Sequence, residues 1–422
     1  MFSISCISSV VGSALVIHIT ILFILVLAAL PSYSGFIWLY CTTDNSNIGF
    51  NLLVIIMFPF INWIAESETK SNQYLVDITL LFILLLVCSI VNSLVMFFIC
   101  YECLIILLFI ILLLFIPSIY RIKTAFFSLM FSILGSISFI CPLSYIITSI
   151  SLYSLVVILP FIIKIPSFPF YYWSPEVHCE ANTSISLFLA GLLSKLSIFG
   201  IIRFILCTFY SSSRFLSTSI IYIILVGIII VSSAYFRYYD LKKTIALSSI
   251  QHLNLVSYSV ISLNSSGLLC SIIIALSHSL SSIGLSLYVG IPINKTNTRL
   301  LDAVFFMSSI SRLLLSSLLL ASNSFPSSIN YVGEIFTLIS IISIDVLFTL
   351  YFLLISPLST LFWFIVTNRK TPYYSSHYRY CSLYYLLLWW LLIGIYLMGI
   401  YVLLSVVLHL VLFYIICLLF TV

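Results

Sequence analysis

Six residues carry groups that chemistry uses and that an apolar chain rarely tolerates: Glu102, Lys164, Lys195, His252, His278 and Glu334. Glu102 stands in Phe97-Phe-Ile-Cys-Tyr-Glu-Cys-Leu-Ile-Ile106, and Lys164 in Leu159-Pro-Phe-Ile-Ile-Lys-Ile-Pro166. Lys195 stands in Ala190-Gly-Leu-Leu-Ser-Lys-Leu-Ser-Ile-Phe-Gly200, and Glu334 follows Asn330-Tyr-Val-Gly333. A charged side chain at the centre of a membrane helix costs roughly 2.5–3.5 kcal/mol on insertion scales, so four of them cost on the order of 10 kcal/mol unless paired or hydrated. Leu at each position would avoid that cost. Two acids and two lysines can neutralise one another and can pass a proton. His252 and His278 add imidazoles, which both accept and donate protons near neutral pH. The plainer alternative is a set of structural ion pairs that only fix helix packing.

The surrounding composition explains why these charges stand out. The chain has 422 residues, of which 63% are hydrophobic and 6% charged. Soluble domains carry roughly 25% charged residues, and no soluble interior hides this much apolar surface. The apolar runs are also too long for tilted barrel strands. The expected fold class is therefore all-α: a polytopic transmembrane helical bundle of about 13–14 crossings at about 20 residues each.

The spans fall near Val11–Leu30, Gly49–Ala65, Tyr74–Ile90, Val91–Pro117, Thr124–Ile150 and Tyr153–Pro169. They continue near Asn182–Cys207, Thr218–Ala234, Thr244–Ile261, Gly267–Val289 and Leu300–Leu320. An interrupted piece at Pro326–Ile341, a span at Ile344–Val366 and a tail from Cys381 to Val422 complete the chain. This divides the chain into three regions: 1–90, an N-terminal group of helices that reads as shortened; 91–368, the core with the buried charges; and 369–422, one or two C-terminal helices.

Two helices read as interrupted. Pro166, Pro169 and Pro175 follow Lys164, and Pro326 precedes Glu334. Proline removes a backbone donor and kinks a helix, and freed backbone at membrane depth survives only where it is buried in protein or lines a cavity. Broken helices beside intramembrane charge are a transporter signature.

The net charge of +5 does not indicate a nucleic-acid partner. The basic residues lie mostly in short loops, where lipid headgroups and the positive-inside rule account for them. Arg121 and Lys123, then Arg237, Lys242 and Lys243, then Lys295 and Arg299, then Arg369, Lys370 and Arg379 are separated by even numbers of spans, so all four clusters share one face. Arg203 and Arg214 are the exceptions. Asp77, Arg312 and Asp345 lie near span ends and can snorkel or face loops. Eleven cysteines scattered through apolar runs form no disulfide framework. Cys100-Tyr-Glu-Cys103 has no second ligand pair, so it is not a tetrahedral zinc site. His178-Cys-Glu180 lacks the rest of a deaminase motif. No Walker loop, dinucleotide fingerprint or iron–sulfur spacing is present, so no redox centre or cofactor is expected in this chain.

Several segments together resemble the antiporter-like membrane subunits of respiratory complex I, NADH:ubiquinone oxidoreductase. Lys164-Ile-Pro166, Trp173-Ser-Pro175 and His178-Cys-Glu-Ala181 are similar to the family's Lys-Met-Pro, Trp-x-Pro and His-x-Glu-Ala. Asp240-Leu-Lys-Lys-Thr-Ile-Ala-Leu-Ser-Ser-Ile-Gln-His252, Ser277-His-Ser-Leu280 and Ile329-Asn-Tyr-Val-Gly-Glu334 match later family motifs in order. The resemblance spans Leu84 to Val366. Glu334 takes the position where one branch of the family carries Glu and the others Lys. Ser279 and Asn182 depart from a family Gly and Pro.

The resemblance implies proton translocation along buried residues, driven by quinone reduction elsewhere in a large complex. Glu102 would pair with Lys164, Lys195 would receive the proton, His252 and His278 would relay it, and Glu334 would be the exit acid. The chain would then be a subunit of an H⁺-translocating enzyme. Flavin and iron–sulfur clusters would lie in partner subunits, and the neighbours would be antiporter-like chains 2 and 5 together with membrane lipids. The implied location is the mitochondrial inner membrane, with a bacterial plasma membrane as the alternative. A subunit of a multi-subunit cation/proton antiporter of the same ancestry is the competing function.

Overall fold

The computed structural model describes residues 45–68, 71–91, 93–115, 120–144, 158–205, 214–234, 237–262, 264–296, 299–300, 309–325 and 328–342. They are helical almost throughout. An isolated β-bridge joins Asp240 and Leu300. The expected spans at Val11–Leu30, Ile344–Val366 and Cys381–Val422 lie outside the described residues.

Among the described residues, five helices are long and apolar enough to cross a membrane, and two shorter apolar helices cover Leu53–Glu66 and Ile220–Ala234. The chain separates into two compact units. The first comprises Met1–Lys164 and Glu176–Ser211, the second Ile165–Pro175 and Ser212–Val422.

In the first unit, α1 (Asn45–Glu68), α2 (Asn72–Ile90), α3 (Leu94–Phe115) and α4 (Arg121–Ser144) succeed one another with short breaks. All four form because lipid offers the backbone no hydrogen-bond partner, so each apolar run must satisfy its amides internally. Their two faces differ in packing rather than polarity. On α3, Phe97, Tyr101, Leu104, Leu108 and Ile111 are buried, whereas Val95, Met96, Ile99, Ile106 and Leu114 are exposed.

A helical segment at 158–164 ends on Lys164. It gives way to a turn in which Phe170 N–H donates to the Ser167 carbonyl at 2.7 Å. The chain is helical again at α5 (Trp173–Glu180). The first interruption is thus where the prolines indicated. Pro175 is different from Pro166 and Pro169: it sits in the first turn of a new helix, where its missing N–H has no intrahelical partner to lose.

The run from Thr183 to Ile205 is not a uniform helix. α6 (Thr183–Phe188) passes into a π-helical segment at Leu189–Leu193, then α7 (Ser194–Gly200), then a second π segment at Ile201–Ile205. Its N-terminus is capped from a distant helix. The Glu68 carboxylate accepts from the backbone N–H of Thr183 at 2.7 Å and of Ser184 at 3.2 Å, and from both hydroxyls. A carboxylate there answers the orphan amides and the positive end of the helix dipole.

The second unit holds α8 (Arg214–Ala234), α9 (Leu241–Ile261), α10 (Ser265–Thr296), α11 (Ser309–Ser322) and α12 (Ile329–Ile342). α9 is buried around nearly its whole circumference, including Ser248, Ser249, Gln251, His252, Asn254, Ser257 and Ser259. All four of these serines return their hydroxyls to the carbonyl three residues earlier, which satisfies those buried donors within the helix.

The second interruption lies between α11 and α12 and has a defined chemistry. Ser324 takes a left-handed conformation with φ of 60°, and Phe325 N–H donates to the Leu320 carbonyl at 3.0 Å. That is the six-to-one bond of a Schellman stop. Ser328 then caps α12, its hydroxyl accepting from Tyr331 N–H at 3.4 Å. The helix therefore ends at Ser322, four residues before Pro326, which itself lies outside the described residues.

Candidate functional site

In the first unit the end of the 158–164 segment delivers Lys164 to Glu102 of α3. Lys164 Nζ donates to Glu102 Oε1 at 2.6 Å. The lysine side chain is 4% exposed and the glutamate 22%. Opposite charges this close, shielded from solvent, offset much of each other's insertion cost. Two rings complete the pocket: Nζ lies 3.8 Å from the Tyr101 centroid and 4.6 Å from that of Phe98. Both are within cation–π range.

Lys195 lies on α7, directly after the first π segment, and is buried. Its Nζ donates to the carbonyl of Ala190, inside that π segment. The wider π turn breaks the regular i→i−4 pattern, which leaves carbonyls there available to a side chain. Tyr101 joins this helix as well. Its hydroxyl donates to the Leu193 carbonyl at 3.2 Å and shares a hydrogen bond with Ser197 Oγ.

In the second unit three of the six residues meet. The rings of His252 on α9 and His278 on α10 have centroids 5.3 Å apart. His252 Nδ1 lies 3.7 Å from Glu334 Oε1 on α12, an ion pair when the imidazole is protonated. The Schellman stop and the Ser328 cap set the start of α12, and with it the angular position of Glu334 one turn in. Asn330 locks this arrangement. Its amide donates to the carbonyls of Ala321 at 3.2 Å and Ser322 at 3.0 Å, and its carbonyl accepts from Ser277, the neighbour of His278. Gly333 allows α12 to lie against Ile274 of α10, since an added Cβ would be 2.3 Å from that side chain.

All six expected residues are thus placed within or beside such clusters. Glu102 and Lys164 pair, Lys195 occupies a π-flanked helix in the same unit, and His252, His278 and Glu334 form one group in the other. Tyr101, Ser197, Asn330, Ser277 and the two π segments were not anticipated. Tyr101 adjoins Glu102 and Asn330 belongs to a matched motif, so proximity to those motifs was the available signal. Nothing in the residue types marks a π turn. Ser279, where the family has Gly, turns its hydroxyl to the Leu276 carbonyl at 2.6 Å within its own helix.

Residues 143–360 match the family model described as NADH:quinone oxidoreductase/Mrp antiporter, TM. The NADH-ubiquinone oxidoreductase chain 4 of Chondrus crispus is 31% identical over 321 residues, covering 71% of this chain and 65% of that one. The NADH-quinone oxidoreductase subunit M of Rickettsia felis is 29% identical over 252 residues, covering 54% and 51%. The chain therefore spans just under two thirds of the length of the chain 4 relative. Among solved structures, a chain of respiratory complex I from Thermus thermophilus superposes with a TM-score of 0.79 at 16% identity, over 93% of this chain and 90% of that one. A chain of the Mrp complex from Dietzia sp. gives 0.71 at 14% identity, over 80% and 69%. These two share the fold. The matched family model extends over half of the sequence and contains Lys164, Lys195, His252, His278 and Glu334, and the chain belongs to the NADH:quinone oxidoreductase/Mrp antiporter transmembrane family.

Proposed function

We propose that the chain is a chain 4-type proton-translocating membrane subunit of an NADH:quinone oxidoreductase. The observation that carries this reading is the 2.6 Å Lys164–Glu102 pair at the end of a broken helix. A buried pair of this kind is a poor source of net stability. It is well suited to switching, because moving or neutralising one partner changes what the other can hold. In this reading Glu102, Lys164 and Lys195 take up and hold the proton, and His252, His278 and Glu334 release it. The flavin, iron–sulfur and quinone chemistry belongs to partner subunits, and antiporter-like chains 2 and 5 are the expected neighbours. The membrane is the mitochondrial inner membrane, in keeping with the Chondrus relative, or a bacterial plasma membrane, in keeping with the Rickettsia one.

The test is Glu102→Gln in the assembled complex, reconstituted in vesicles. Quinone reduction should continue while protons moved per electron fall severalfold. Unchanged proton yield in a fully assembled variant would sink the reading.

The family name and the Mrp likeness support cation/proton antiport as a second reading. Purification distinguishes the two: co-migration with flavin- and iron–sulfur-bearing subunits supports the first, and sodium–proton exchange by a complex lacking them supports the second.

A further inference from the structure

We propose that Tyr101 is a positioning residue that couples the charge on Lys164 to the helical turn carrying Lys195; the inference rests on the proton-transfer reading above. Tyr101 is fully buried and faces two ways. Its ring lies 3.8 Å from the Lys164 ammonium, whose other side is held by Glu102. A ring face attracts an ammonium through its quadrupole and has no such attraction for a neutral amine. The hold between ring and lysine therefore exists only while Lys164 carries its proton.

At its other end, Tyr101 grips the helix of Lys195. The phenol donates to the Leu193 carbonyl and bonds Ser197 Oγ. Leu193 and Ser197 lie four residues apart, on one face of the turn. Lys195 lies midway between them and, at about 100° per residue, projects from the opposite face. Two anchors on one face set the rotation of that turn, and so the direction of Lys195. Leu193 is also the last residue of the π segment whose Ala190 carbonyl receives Lys195 Nζ. A π turn holds one more residue than an α turn, so closing it to an α turn re-registers the downstream helix by one residue, a rotation of about 100°. Small displacements of the tyrosine are thereby converted into large changes at Lys195.

Both hydrogen bonds of the phenol go to the helix of Lys195, so Tyr101 acts through the two lysines as a positioning residue. When Lys164 is charged, the ring is held against it and the turn is fixed. When Lys164 gives up its proton, the ring loses that hold and the turn carrying Lys195 is released.

The experiment uses the intact complex in vesicles, with quinone reduction and proton movement measured together across pH. Tyr101→Phe keeps the ring and removes the grip; Ser197→Ala removes one of the two anchors from the other side; Ser197→Thr keeps a hydroxyl. We expect Tyr101→Phe to lower protons moved per electron about fivefold, the factor for one neutral hydrogen bond, with assembly unchanged. Ser197→Ala should fall in the same direction. The double variant should be no worse than Tyr101→Phe, because both remove one link. Ser197→Thr should restore the wild-type yield. Wild-type proton yield in Tyr101→Phe at every pH overturns the inference, as does an additive double variant. Should Tyr101→Phe fail to assemble, the Ala and Thr variants of Ser197 decide alone: equal yields overturn the proposal. Glu102→Gln serves as the reference. If it pumps normally, the underlying reading falls; if it fails while Tyr101→Phe pumps normally, only the coupling role of Tyr101 falls.

Discussion

Glu102 and Lys164 show what one residue does to another in a medium that solvates neither. Removing either partner leaves the other charge buried, which typically costs about 3–5 kcal/mol where no water enters. Lys164→Met should therefore harm assembly more than Glu102→Gln, because the neutral amide still accepts a hydrogen bond from the ammonium. The comparison is read as the amount of assembled complex in the two variants. Lys195 and Glu334 lie in different units and allow a sharper test. If they act in series, Lys195→Met and Glu334→Gln should each block proton movement, and the double variant should be little worse than either alone. If they instead neutralise one another, the double variant should recover assembly relative to the singles. Recovered assembly with intact pumping would make the two charges architectural.

The elements matter because each cluster is set by where a helix stops or changes pitch. Asn330 bridges the end of α11, the start of α12 and the neighbour of His278. Asn330→Leu leaves those carbonyls without their donor and should cost about 1–3 kcal/mol, visible as a lowered melting temperature of the complex. Gly267 permits another close contact: a Cβ there would be 2.4 Å from the backbone carbonyl of Ser259 on α9. Backbone cannot move aside as a side-chain tip can. Gly267→Ala should force α9 and α10 apart at about 1–3 kcal/mol, and a variant as stable as wild type would refute the packing. The Glu68 cap is similar. Glu68→Ala exposes the amides of Thr183 and Ser184 and should destabilise the helix that bears Lys195 by at least about 1 kcal/mol. Protease or hydrogen-exchange protection at that helix end measures it.

At the scale of the whole molecule, the distribution of basic loops sets which face is which. An even number of expected spans separates Lys243 from Lys370, so membrane-impermeant amine labels should reach both from one face. Lys370 lies outside the described residues, which makes this a test of the span count. Labelling from opposite faces would show that an odd number of crossings separates them, with the interrupted piece near Glu334 as the place where the parity changes.

The helical class, the helices that begin near Gly49, Tyr74, Thr124, Asn182, Thr218, Thr244 and Gly267, and the six polar groups, of which Lys164, Lys195, His252 and His278 are buried and Glu102 and Glu334 partly exposed, were legible in the chain itself. The physical reason is that lipid enforces them locally: a run of about 20 apolar residues must be helical, and a charge inside one is conspicuous because it is costly. The first interruption was legible through Pro166 and Pro169, since proline acts on its own backbone. The second was only partly so, because its stop is made by the left-handed Ser324 and the Asn330 bridge, and a serine can adopt that conformation only where its surroundings hold it. The pairings were beyond composition and spacing. Lys164 meets Glu102 across 62 residues of chain, and His252 approaches Glu334 across a still longer interval. The π segments around Lys195 and the two-sided grip of Tyr101 were decided only by packing. A helix widens or a phenol turns in response to neighbours that the local sequence does not contain.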